Sequence, residues 1–177
     1  AQLSVKGKDL AEWVLEQIQV HGRRASEAVK AGDLDVLAVL DQTLRTVPML
    51  ATLGIRAEEA RTGHLVLRLP HAPAVTNHAG ALHTAAVFAV GELTAAVVLA
   101  THPDLAGLRH LQKSTKIKYY LPANKDVTAH ATLTDEMLAA VKNGVASGEA
   151  RIEVPVKVLD GHGNDVAELI SHFTIRS

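Results

Sequence analysis

The rhythm of apolar residues changes near Pro48, from a helical period to an alternating one. Before it, Leu10, Trp13, Val14 and Ile18 recur at helical spacing, with Gln17 as a polar interruption, and Gly22 ends the run. Ser26 suits the cap of a short turn. Asp33 suits the cap of a second helix reaching about Thr46, where Leu34, Leu37, Leu40 and Leu44 keep the spacing, and Pro48 is expected to stop it. Residues 1–47 therefore read as a helical extension to a domain formed by residues 48–177.

Beyond Pro48 the pattern predicts strands. Residues 53–57 make a first candidate, and Leu65, Leu67 and Leu69 share one face of a second over residues 64–69. HAPAVTNHAG (71–80) has loop composition. An almost wholly apolar helix follows, closed by His102-Pro103. Thr115, Ile117, Tyr119 and Leu121 then alternate with Ser114, Lys116 and Lys118. Val127, Ala129, Ala131 and Leu133 alternate next, and Asn143-Gly144 signals a hairpin. Ala150, Ile152, Val154, Val156 and Val158 form a long alternation, DGHGN (160–164) turns the chain, and residues 166–175 form a last strand. Two helices, two strands, one apolar helix and about four strands in meander predict an α+β fold with an antiparallel sheet. A helix apolar on nearly every side must be enclosed, so the sheet curls around it or a second copy of the chain covers the rest.

Composition narrows the chemistry. The chain has 177 residues, 47% hydrophobic and 21% charged, enough for one globular domain with a sizeable core. Eighteen Lys and Arg against nineteen Asp and Glu leave a net charge of −1, with no basic field for nucleic acid. Aromatic residues are 3%, too few for a base-stacking platform. Cys is absent, which removes disulfides, thiolate zinc sites and a cysteine nucleophile, and fits a reducing cytoplasm. The first residues lack the basic and apolar regions of a signal peptide. Residues 81–100 approach the length of a membrane span, but Glu92 near the middle and the lack of close Lys or Arg flanks point to a buried helix of a non-membrane protein. Ten histidines include no HxH or HxxxH pair, so no metal site is expected, and no organic cofactor. Gly-x-Ser-x-Gly, P-loop and dinucleotide fingerprints are missing as well.

One stretch, NHAGALHTAAVFAVGELT (77–94), raises the functional question. Glu92 is an acid in an otherwise apolar helix, and an unpaired buried carboxylate is costly. His83 lies nine residues earlier, roughly 13–14 Å away along a helix and on another side. The two can cooperate only if Glu92 meets His83 of a second chain, as in a homodimer with helices packed about a two-fold axis.

Order and spacing resemble the hotdog-fold thioesterases, in which a curved antiparallel sheet wraps one long helix. The matching signature is Asn77, then Gly80-Ala81-Leu82-His83, then an acid nine residues on, Glu92. The resemblance covers about residues 50–177 and is best to the small acyl-CoA thioesterase branch related to phenylacetyl-CoA thioesterases, or to poorly characterised hotdog families near it. Thr84 stands where that branch has Gly, and Glu92 where it has Asp. The resemblance implies hydrolysis of an acyl thioester, carried by CoA or a carrier protein, in a homo-oligomer. The backbone N–H of Thr84 would polarise the carbonyl, Asn77 would orient water or thioester, and Glu92 would act as general base or nucleophile. Val90, Leu93 and Ala96 around Glu92 should raise its proton affinity. His83 would order the loop, with Gly80 beside the substrate. The polar residue usual on the next strand would be Gln112 or Ser114, with Lys113 beside them. Arg109, Lys113, Lys116 and Lys118 cluster there and suit either CoA phosphates or a solvated strand. Rival readings are a non-catalytic acyl-thioester binder, a hotdog hydratase or dehydratase, and a structural oligomer assembled through the N-terminal helices.

Overall fold

The computed structural model describes residues 36–105 and 107–177. The stripe over residues 8–21, Ser26 and Asp33 lie outside these, so the extension is represented by its end, helix α1 (Val36–Thr46). Leu44 of α1 is buried and Leu40 packs against the core. Asp41 Oδ1 accepts the Ala57 N–H at 3.1 Å, which ties α1 to the first strand.

Helix α1 ends at Thr46, just before Pro48, as expected, but Pro48 does not lead straight into a strand. It opens α2 (Pro48–Leu53), a position where its missing N–H breaks no helical bond and its fixed φ suits the first turn. The strand expected from Leu53 is displaced accordingly. It starts after Gly54 and Ile55 as β1 (Arg56–Arg61), whose sequence RAEEAR is too polar to announce itself by period.

The other elements are β2 (His64–Leu69), α3 (Thr84–Ala100), β3 (Arg109–Tyr119), β4 (Val127–Thr132), α4 (Asp135–Ala146), β5 (Ala150–Asp160) and β6 (Asp165–Arg176). The hairpin expected at Asn143-Gly144 is instead the last turn of α4. Thr134 caps that helix by accepting the Met137 N–H at 3.2 Å, and Asp135 and Glu136 favour its positive end. Gly144 is there for close approach: a Cβ on it would lie 2.7 Å from the Ala150 Cα.

All six strands pair antiparallel in the order β1-β2-β4-β5-β6-β3. The expected meander is therefore broken. After β3 the chain crosses over to set β4 against β2, while β3 pairs with β6 and becomes an edge. Alternation shows that a strand has two faces but not which neighbour it takes. The sheet is curved and open, and α3 lies in its concavity.

Leu65, Leu67, Ala129, Val154, Val156, Leu169 and Phe173 are buried on the sheet's inner face, against Val87, Val90, Leu93, Val97 and Val98 of α3. Each of the Leu, Val and Phe side chains contributes on the order of 1.5–3 kcal/mol by leaving water. Gly91 sets the fit: a Cβ there would stand 2.5 Å from Leu169 Cδ1, so any larger residue would force the buried Leu169 side chain to shift. The helix is buried except for one stripe, on which Thr84 and Ala85 are exposed and Phe88, Glu92 and Ala96 half-buried. Recurring every three or four residues, these positions form one line on the helix surface. No helix among the described residues is long and apolar enough to cross a membrane.

Candidate active site

The loop before α3 is shaped by Asn77. Its side-chain oxygen accepts the N–H groups of Ala79 at 2.9 Å and Ala81 at 3.3 Å, and its backbone N–H donates to the Ala81 carbonyl at 2.7 Å. Asn is suited to such side-chain turns. Gly80 completes the bend at φ 78°, a region that favours glycine. With the oxygen engaged, Asn77 offers its amide NH2 group as donor. His78 is exposed on the same loop.

His83 is the N-cap of α3. Its Nδ1 accepts the Ala85 N–H at 3.1 Å, and its carbonyl accepts from Ala86 and Val87. An accepting Nδ1 puts the proton of the neutral ring on Nε2. Thr84 follows as the first helical residue, where no intrahelical partner exists for its N–H. Among the described residues no other acceptor takes that N–H, which leaves a donor at the positive end of a helix. Tyr119 of β3 donates its hydroxyl to the Thr84 carbonyl at 3.0 Å, fastening the strand end to the helix start.

Glu92 lies two turns along the exposed stripe. Burial raises its proton affinity above that of an ordinary glutamate, and a hydrogen bond from the Gln112 side chain partly offsets this. Gln112 reaches it because of a bulge in β3. The register steps between Gln112, opposite Phe173, and Ser114, opposite His172. Lys113 is the extra residue. Gln112 therefore shares the inner face with Thr115, Ile117 and Tyr119, while Ser114, Lys116 and Lys118 line the outer face and are exposed. Of the two strand candidates, Gln112 meets Glu92 and Ser114 points away from the helix. Exposed Lys113 and Arg109 lie on the same edge strand.

Several residues at this site lie outside the sequence expectations. Gln112 Nε2 donates to Thr115 Oγ1 at 2.6 Å, and Thr115 Oγ1 meets the Oγ of fully buried Ser171 at 2.8 Å. His71 Nε2 donates to the Gly80 carbonyl at 2.8 Å. Asp126 holds His71 in turn, accepting its backbone N–H at 2.7 Å and the Arg68 guanidinium. The His71 N–H, aided by Arg68, keeps the Asp126 carboxyl below the usual aspartate range. No single-sequence motif marks these residues; Thr115 alone carried a signal, its place on the apolar face of a strand. Among the described residues no group of three or more His, Asp or Glu side chains is placed to hold a metal ion.

Comparison with known proteins places the chain and its fold in a family. Among solved structures, a Pseudomonas aeruginosa protein of unknown function named as a probable thioesterase is 25% identical, with a TM-score of 0.72 over 77% of this chain and 93% of its own. A Haemophilus influenzae thioesterase is 15% identical, with a TM-score of 0.62 over 80% of this chain and 91% of its own. A Staphylococcus aureus thioesterase, solved as a variant, is 18% identical at a TM-score of 0.58, over 73% and 98%. No curated protein matches the sequence. Residues 38–175 match DUF4442, a domain of unknown function, and the chain belongs to that family, with a hotdog fold shared with thioesterase-like proteins.

Proposed function

We propose that this protein hydrolyses an acyl thioester of CoA or of a carrier protein, at a site shared between two copies of the chain. The reading is carried by one observation: Glu92, a carboxyl of raised proton affinity, sits on the open stripe of a buried helix and is held by an amide. The thioester carbonyl would lie against the Thr84 N–H, where the helix end stabilises developing negative charge. Glu92 of the other copy would take a proton from water as the water oxygen attacks the carbonyl carbon. The C–S bond then breaks, the thiolate leaves with that proton, and acid and thiol are released. Direct attack by Glu92, giving an anhydride that water opens, fits the same placement. Asn77 would direct the water or thioester through its free NH2 group. Gln112 would steady Glu92, and His83 would hold the loop with Gly80 against the substrate. Lys113 and Arg109 would meet phosphate outside. A cytoplasmic setting fits the cysteine-free chain and a CoA substrate.

The test is thiol release from short, medium, long and aromatic acyl-CoAs, with Glu92→Gln beside the parent. Turnover lost in the variant by at least about 100-fold is expected. Unchanged turnover in Glu92→Gln would make the acid structural. The Thr84 side chain, where the resemblance has glycine, favours one second reading, a binder without turnover. Acyl-CoA bound to the parent with no thiol released would establish it.

A further inference from the structure

Three polar side chains stand in a row on the inner face of the sheet against an apolar core: Gln112 and Thr115 on β3 and Ser171 on β6. Gln112 Nε2 donates to Thr115 Oγ1, and the Thr115 hydroxyl pairs with the Ser171 hydroxyl across the β3–β6 ladder. A hydroxyl oxygen that accepts from Gln112 can still donate its own proton to Ser171 or accept a second one from it. Whichever hydroxyl donates, the pair holds the amide nitrogen of Gln112 between Thr115 and Glu92. The Gln112 nitrogen carries two protons. One goes to Thr115, and the other is left for the Glu92 carboxylate. Without the hydroxyl anchor the Gln112 side chain is free to swing away from Glu92 or to turn its amide over. Either movement takes the donor away from the Glu92 carboxylate.

We propose that Thr115 and Ser171 are positioning residues: their hydroxyl pair anchors the Gln112 amide nitrogen beside Glu92. This rests on the thioesterase reading only for its effect on turnover; the effect on Glu92 itself does not. The surroundings leave few competitors. The inner faces of β2, β4 and β5 present Leu, Ala, Val and Ile to α3, and β6 adds Ser171 as a polar group near the acid. On β3, His110 stands two residues from Gln112 on the same face, and Tyr119 is at the far end, bonded to Thr84. On α3 the other polar side chains are Thr84 and Thr94, the latter bonded to the Val90 carbonyl.

The experiment is a carbon-13 NMR titration of the Glu92 carboxyl in protein labelled at glutamate, its signal assigned by loss in Glu92→Gln. Thr115→Val removes the acceptor at nearly constant volume. Its Glu92 midpoint should move up by about one pH unit. Thr115→Ser, which keeps the hydroxyl, should stay within about 0.3 unit of the parent, and Ser171→Ala should move part of the way. A folded Thr115→Val with the parent's midpoint overturns the proposal, as does Thr115→Ser moving as far as Thr115→Val. If Thr115→Val does not fold, an unmoved midpoint in Ser171→Ala overturns it. The titration needs no substrate, so it tests the hydroxyl pair equally well in a protein without thioesterase activity. Where turnover is present, the acid limb of kcat moves with the midpoint and KM does not.

Discussion

At the scale of single residues, Glu92 is subject to two opposed influences, and burial outweighs the Gln112 amide. A base works deprotonated. Turnover is therefore expected to rise with pH through a midpoint above the ordinary glutamate value of about 4.3, and a kcat profile over pH 4–9 reads it directly. The same imbalance acts on stability. A carboxyl with a higher pKa folded than unfolded binds protons more tightly in the native state, so stability falls as pH rises from the unfolded value through the folded one. Glu92→Gln removes that loss. Its melting temperature should exceed the parent's at pH 7, and the difference should close below about pH 4. Thermal unfolding at the two pH values measures both. The sequence made Glu92 conspicuous because an acid in an apolar helix has few harmless explanations. It could not show the amide beside it, since Gln112 and Ser114 differ only in face and the bulge that decides between them leaves no trace in the alternation.

At the scale of elements, the helices and strands with a strong period were legible, and those built by contact were not. Helix α3, strands β2 and β5 and the loop over 71–80 follow from local pattern. Helix α4 does not, because Asn-Gly is a good turn in isolation; the Thr134 cap and the close passage of Ala150 override it. Gly144→Ala tests this. Helix propensity gains about 1 kcal/mol, but a methyl against the fixed backbone of residues 149–150 costs more, so a net loss of about 1–2 kcal/mol in denaturant unfolding is expected. The loop before α3 depends likewise on a distant residue. Asp126→Ala should speed hydrogen exchange at the amides of residues 77–83 while leaving those of α4 unchanged, since Asp126 holds His71 and His71 holds Gly80.

At the scale of the whole molecule, the open features coincide. Thr84, Ala85, Phe88, Glu92 and Ala96 line the uncovered stripe of α3, and β3 is the sheet edge beside it, with Leu111 and Tyr119 exposed. In the dimer we propose, a second copy with two-fold symmetry covers the stripe and brings one chain's Glu92 to the other's Thr84. Mixed dimers read this arrangement. Glu92→Gln and Asn77→Ala, each inactive alone, should regain about a quarter of parental turnover when unfolded and refolded together in equal amounts, because half the dimers then hold one intact site of two. No recovery would place both residues in one chain's site. Crossover order was beyond the sequence for a related reason: each strand's two faces are written in its own residues, whereas its neighbours are chosen by the whole sheet.

The bulge at Lys113 turns chain length into chemistry. Remove that one residue and the strand must alternate without a step, so the parts before and after it can no longer both keep their facing. Ile117 and Tyr119 are held by the core and by Thr84, while Gln112 is held only by polar contacts, to Thr115 and Glu92. The shorter chain would thus keep its sheet and rotate Gln112 toward solvent. An intact protein would retain its acid in place, with the tuning lost through a deletion that touches neither partner.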